Sequence, residues 1–324
     1  MVSRNKYFDS LRGVSILMVV AIHVMVIDNK GIVGQFLVNI RQLLNIAVPL
    51  FFAISGFFLA KKNLDNWSEM RRFWVRQIPK VYIPAILWSL PLYYFAIRSG
   101  FSFLNETVWL LCCGYGVFYF VAVIVQFYLL LPLLTEIRLG GGIGSIVISM
   151  ASIIGVVYSG LSTQVELVQY AGFCPLWGMF FCLGIYLSRI NRNYPIGILS
   201  FLFFVSGSLQ YWEFRYLSDL GLSGMGIKPT SFIFSAIGIL LLFSKRIEGA
   251  FNASNFVSKT LCYLGDRSFG IYLIHFIVLI FVQAKSFYPS SWVLGYFFII
   301  SITLVIIEFF RFVLPKGVWK LLGV

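Results

Sequence analysis

Apolar runs long enough to cross a membrane recur along the whole chain, and they decide what it can fold into. Bounded by charges or turn residues, they lie near 10–27, 43–60, 81–97, 115–135, 143–160, 171–188, 195–211, 229–244, 267–284 and 293–314. About 20 mostly apolar residues let a helix span the hydrocarbon core, where backbone polar groups must be satisfied without water. Residues 107–113, Thr-Val-Trp-Leu-Leu-Cys-Cys, are apolar but too short to span, which suits a re-entrant or interfacial piece. Only 11% of the 324 residues are charged and 60% are hydrophobic, whereas soluble domains carry about 25% charged residues. A soluble enzyme is excluded. The expected fold is all-α, a polytopic integral membrane bundle of about ten transmembrane helices forming one domain over 1–324.

Charge gives the bundle a direction. Lys and Arg number 25 against 12 Asp and Glu, an excess that in a soluble chain would raise the question of nucleic acid. Here the membrane supplies the cause, because cytoplasmic loops concentrate Lys and Arg. With the N-terminus inside, only Lys30, Arg41, Arg98, Arg215, Lys228 and Lys285 fall on the far side, so both termini are expected in the cytoplasm. Arg4 and Lys6 ahead of Gly13–Ile27 resemble a secretory signal, but no small-residue cleavage site follows and His23 interrupts the run. The run is therefore read as the first spanning helix. Gly140-Gly141-Gly142 reads as a cytoplasmic turn. Cys112, Cys113, Cys174, Cys182 and Cys262 are odd in number and lack metal-ligand spacing, so neither a disulfide framework nor a metal site is expected.

Ionisable groups inside apolar helices are expensive and mark function by default. Arg12 and His23 are eleven residues apart, which returns them to nearly one helix face about 16 Å apart along the axis. Asp9 lies three residues before Arg12, within ion-pairing reach. A histidine can take a proton near neutral pH, and an arginine can grip a phosphate or carboxylate bidentately. Each residue alone is as readily a topology anchor or a packing group. Arg71, Arg72, Arg76 and Lys80 form the densest basic stretch, and Arg72, Arg76 and Lys80 recur every four residues. In a helix they make one stripe, suited either to lipid headgroups or to clamping an anionic cytosolic ligand, although Pro79 opposes a regular helix. Polar groups at membrane depth include Ser55, Gln126, Tyr128, Tyr272, His275 and Glu308. For each, a structural hydrogen bond competes with a functional role.

The ordered motifs Phe8-Asp9-Ser10-Leu11-Arg12-Gly13 with His23, Pro49 to Gly56, Phe120 to Pro132 with Gln126 and Tyr128, and Ser268 to His275 resemble the membrane-bound acyltransferase-3 family. Its members transfer acyl groups, mostly acetyl, onto sugars and related molecules. The resemblance implies His23 as catalytic base and Arg12, with Asp9 beside it, as a donor-binding or transition-state residue. It also associates the basic loop, here Arg71, Arg72, Arg76 and Lys80, with acetyl-CoA as donor, and it makes Ser55, Gln126, Tyr128, Tyr272 and His275 substrate-binding residues. Many relatives carry an extracytoplasmic SGNH domain after the membrane part; here the chain ends after its last helix, so acceptor handling is expected within the bundle or by a partner. The expected acceptor is a cell-surface or lipid-linked glycan, and Glu213, Arg215 and Asp219 beside Tyr211 and Trp212 are plausible sugar contacts. The expected location is a bacterial cell membrane. A polysaccharide or small-polar-substrate exporter built on the same helices is the alternative.

Overall fold

The computed structural model describes residues 5–25, 31–62, 64, 66–136, 139–163, 171–221, 228–284, 289 and 291–324. Every regular element among them is helical. The helices are α1 (Lys6–Val24), α2 (Gly31–Leu44), α3 (Ala47–Leu59), α4 (Trp67–Arg98), α5 (Phe103–Leu111), α6 (Tyr119–Glu136), α7 (Leu139–Thr163), α8 (Gly178–Arg189) and α9 (Ile196–Asp219). They continue with α10 (Pro229–Leu242), α11 (Lys245–Ala250), α12 (Phe256–Asp266), α13 (Ser268–Ala284), α14 (Trp292–Val313) and α15 (Lys316–Leu321).

Among the described residues, six helical stretches are long and apolar enough to cross a membrane: Lys6–Val24, Phe36–Leu59, Trp67–Arg98, Gly116–Thr135, Ile143–Gly160 and Trp292–Val313. A seventh is obtained if α12 and α13, which meet at 74°, count as one broken span. The protein is thus a multi-pass integral membrane protein. The expected segments near 171–188 and 229–244 appear as the shorter helices α8 and α10, of 12 and 14 residues. The second span begins at Phe36, seven residues before the expected 43, because α2 carries its amphipathic polar residues into the bundle ahead of the apolar α3. Gly140–Gly142 lie in the first turns of α7, not in a turn between helices.

Local chemistry explains the element starts. The Asn5 side chain caps α1 by accepting from the Tyr7 amide at 3.0 Å, and Asp9 in the first turn complements the helix dipole. Asn66 caps α4 in the same way, accepting from the Glu69 amide. From there α4 runs for 32 residues through Pro79, Pro84 and Pro91. The short apolar stretch before α6 folds back along α4, where the Tyr82 hydroxyl donates to the Leu111 carbonyl at 2.7 Å and Tyr93 meets Thr107 at 3.2 Å.

The core is built around α1, which packs against α3, α12 and α13. Its contact with α12 is backbone on backbone: a Cβ on Gly265 would lie 1.8 Å from the Asp9 carbonyl oxygen, and one on Gly13 2.1 Å from that of Leu261. Glycine lets helices approach this closely. Gly56 and Gly184 do the same between α3 and α8. At the end of the bundle that holds Asn5, Arg192 pins several elements together. It donates to the Phe243 carbonyl and to Glu248, both at 2.8 Å, and stacks over Phe57. Glu248 in turn accepts from Asn5 at 2.9 Å. An arginine whose fork is filled by a carboxylate and a carbonyl can be buried without an unpaired charge.

Candidate functional site

Five helices enclose a cavity of about 210 Å³ beside α1. Arg12 and Val19 line it from α1, Val48, Phe51 and Ser55 from α3, Val81 from α4, Phe120, Ile124 and Tyr128 from α6, and Ser268, Phe269 and Tyr272 from α13. Four of the residues singled out in the sequence therefore share one space with Arg12 or line its wall: Ser55, Tyr128, Tyr272 and Ser268. The cavity is mostly apolar, with its one formal charge at Arg12.

Arg12 is oriented by its neighbours. Its Nη1 lies 3.0 Å from Oδ1 of Asp9, which is buried at 4% exposure, and its guanidinium sits 5.2 Å from the centre of the Phe58 ring. Its side chain stays 31% exposed, enough to meet a ligand. The hydroxyls around the cavity differ in availability. Ser55 donates to the Phe51 carbonyl, Ser268 to that of Gly265 and Tyr272 to that of Val117. The Tyr128 hydroxyl has no partner among the described residues and is free to bond a ligand.

The lining ends at Val19 and Tyr272, one helical turn short of a pair of histidines. The ring centres of His23 on α1 and His275 on α13 are 5.5 Å apart, and Tyr272 lies 6.2 Å from His275. Phe276 closes on His23 at 5.7 Å, and a Cβ on Gly116 would strike the Phe276 ring at 2.3 Å, so only glycine fits there. His275 is fully buried; its Nδ1 is 2.9 Å from the Ile271 carbonyl oxygen, and its Nε2 has no partner among the described residues.

Arg41, which the sequence assigns to the far side, lies on α2 within the second span. The signal was present, a cation followed by an apolar run, and was missed because that span was started at residue 43.

Arg71, Arg72, Arg76 and Lys80 occupy the first half of α4, all exposed, and none makes a hydrogen bond or ion pair among the described residues. Pro79 does not interrupt the helix, so Arg72, Arg76 and Lys80 do form one stripe of free cations. Gln126 is placed elsewhere. Its Nε2 donates to the Ala122 and Gly172 carbonyls at 3.2 and 2.9 Å, and its Oε1 accepts from the Cys174 amide. It lines a separate cavity of about 640 Å³ behind α6, with Tyr82, Trp109 and Tyr119. Glu308 is spent on Arg267 and Tyr263, and Glu213 on Thr230. Arg215 reaches the Tyr211 hydroxyl at 3.1 Å. Among the described residues, no group of three His, Cys, Asp or Glu is placed to hold a metal ion.

Arg12 thus stands at one end of an apolar cavity, with His23 and His275 just past the other. The chain belongs to the acyltransferase-3 family, described as an acyltransferase domain, which matches residues 5–309. Among curated proteins it is 26% identical over 295 residues to the serine/alanine racemase of Enterococcus gallinarum, covering 84% of this chain and 40% of that protein. It is 25% identical over 332 residues to the peptidoglycan O-acetyltransferase OatA of Listeria monocytogenes serovar 1/2a (strain ATCC BAA-679 / EGD-e), covering 84% of this chain and 49% of that one. The chain thus spans half or less of the length of these relatives. No solved structure matches it.

Proposed function

We propose that this chain is a membrane O-acyltransferase that moves acetyl from cytosolic acetyl-CoA to a hydroxyl of a cell-surface or lipid-linked glycan. The observation that carries this reading is the shaft itself: it leaves Arg12 partly exposed at one end and stops one turn below His23 at the other. Family membership and the similarity to an O-acetyltransferase support it. The distribution of Lys and Arg supports a bundle of about ten passes with both termini in the cytoplasm, which puts Arg12 and the α4 stripe on the side where coenzyme A is made.

Arg12, with Arg71, Arg72, Arg76 and Lys80, would hold the donor's phosphates. These groups fit a polyanion because they are cationic and, on α4, unpaired. A shaft of about 210 Å³ with apolar walls fits the slender pantetheine arm and not the nucleotide. His23 then acts as general base. It takes the proton of the acceptor hydroxyl as the oxygen bonds to the thioester carbon, the carbon–sulfur bond breaks, and the proton passes from His23 to the departing thiolate. Tyr272, the hydroxyl nearest the histidines, can turn from Val117 to the developing oxyanion.

The racemase relative carries a name unrelated to acyl transfer, and export of a polysaccharide or small polar molecule remains the second reading. Protein in lipid vesicles supplied with acetyl-CoA and a cell-wall oligosaccharide separates them. The enzyme reading predicts free coenzyme A thiol and ester-linked acetyl by mass spectrometry. Movement of the oligosaccharide across the vesicle with neither product would transfer the case to export.

A further inference from the structure

The second histidine has an orphan atom that the mechanism above does not use. The Ile271 carbonyl can only accept, so the 2.9 Å contact requires His275 Nδ1 to carry the proton. Its Nε2 is then a bare acceptor, fully buried and without a partner among the described residues. A buried acceptor left without a partner is costly, so a nearby donor is the first thing to look for. The nearest polar ring is His23, with its centre 5.5 Å away. Imidazole nitrogens sit about 1.1 Å from their ring centre, and a hydrogen bond adds about 3 Å, so two imidazoles joined end to end have centres a little over 5 Å apart. The observed spacing of 5.5 Å is close to that value.

We propose that His275 is a positioning residue for His23: its bare Nε2 accepts the N–H of one His23 nitrogen, and the other His23 nitrogen is thereby bare toward the acceptor hydroxyl. This rests on the reading of His23 as base. The Ile271 carbonyl fixes the tautomer of His275, and His275 fixes that of His23. When His23 takes the hydroxyl proton, the same N–H to Nε2 bond stabilises the imidazolium. The other groups facing the pair are the Arg41 guanidinium from α2 and the neutral Tyr272 of α13.

The test compares His275→Gln with His275→Phe in lipid, following kcat, donor dissociation constant, pH profile and melting temperature. Glutamine can donate to Ile271 and still offer an oxygen to His23; phenylalanine fills the space and offers nothing. The expected result is a kcat loss of about 100-fold in His275→Phe, donor binding unchanged, the rising limb of kcat moved to lower pH, and most of the activity restored in His275→Gln. Two results would overturn the proposal: wild-type kcat and pH profile in His275→Phe, or equal loss in two folded variants. His23→Ala run alongside keeps the two ideas apart. If it is inactive while His275→Phe is active, only the role of His275 falls. If it is active, the general-base reading falls with it.

Discussion

Asp9 fixes where Arg12 can point, because a carboxylate buried at 4% exposure needs its cation and holds it toward the cavity. Replacing it with asparagine keeps the shape and removes the charge. Asp9→Asn should raise the Michaelis constant for the donor about tenfold while leaving kcat at saturation near wild type, measured by coenzyme A release. A second prediction concerns Lys228, 3% exposed at the start of α10, with its ammonium 5.2 Å from the Phe214 ring. Burial pushes its pKa down to about 8; the Glu213 carboxylate opposes that drop and Arg41 adds to it. An unfolded lysine stays charged to roughly pH 10.4. Between about pH 8 and 10 the native state therefore binds fewer protons, and stability rises with pH. Melting temperature in lipid should climb over that range in the wild type, and Lys228→Met should lose that climb. At this scale the sequence shows which polar residues stand alone in an apolar run, such as Arg12, His23 and His275, and the structure places Arg12 in one cavity wall and the two histidines beside each other. For Gln126 it left a structural hydrogen bond and a functional role open, and the structure bonds its amide to the Gly172 and Cys174 backbone, since spacing along one helix does not say which neighbour a side chain meets.

Among the elements, α1 and α12 show how glycine sets the site. The Asp9 carbonyl sits where a Gly265 Cβ would be, so Gly265→Leu must push α12 away from the turn of α1 that carries Asp9 and Arg12. The expected outcome is a fall of several degrees in melting temperature, together with loss of donor binding, by thermal shift in lipid. The α4 stripe should behave oppositely. Arg72→Ala with Arg76→Ala removes exposed, unpaired charges, so the fold should be untouched while donor affinity falls at least tenfold and loses its salt dependence; equilibrium binding at two ionic strengths measures this. Element positions were legible from hydropathy wherever a run was uniformly apolar, as in α6 and α14. They were not legible where a span is assembled from pieces. α2 joins α3 through a polar stretch containing Gln42 and Asn45, which bond each other at 3.1 Å, and α12 meets α13 at a 74° bend. A window average reads neither a break nor a bend.

Across the whole molecule, Arg12 and the start of the α4 stripe both lie by the Tyr128 end of the cavity, and the histidines lie about 16 Å away along α1. On the reading proposed above, that arrangement would separate holding the donor from doing chemistry on it. It also explains why Arg12 and His23 were readable from sequence, since both belong to one helix and helical geometry fixes their spacing. The neighbour of His23 was less readable, because His275 is brought beside it from 252 positions away by the packing of α13 against α1. The division of labour is tested most directly by acetyl-CoA turnover and donor binding measured together on His23→Ala protein reconstituted in lipid. Binding within about twofold of wild type, with turnover reduced by 100-fold or more, is the predicted result. Wild-type turnover in a folded His23→Ala protein would contradict it.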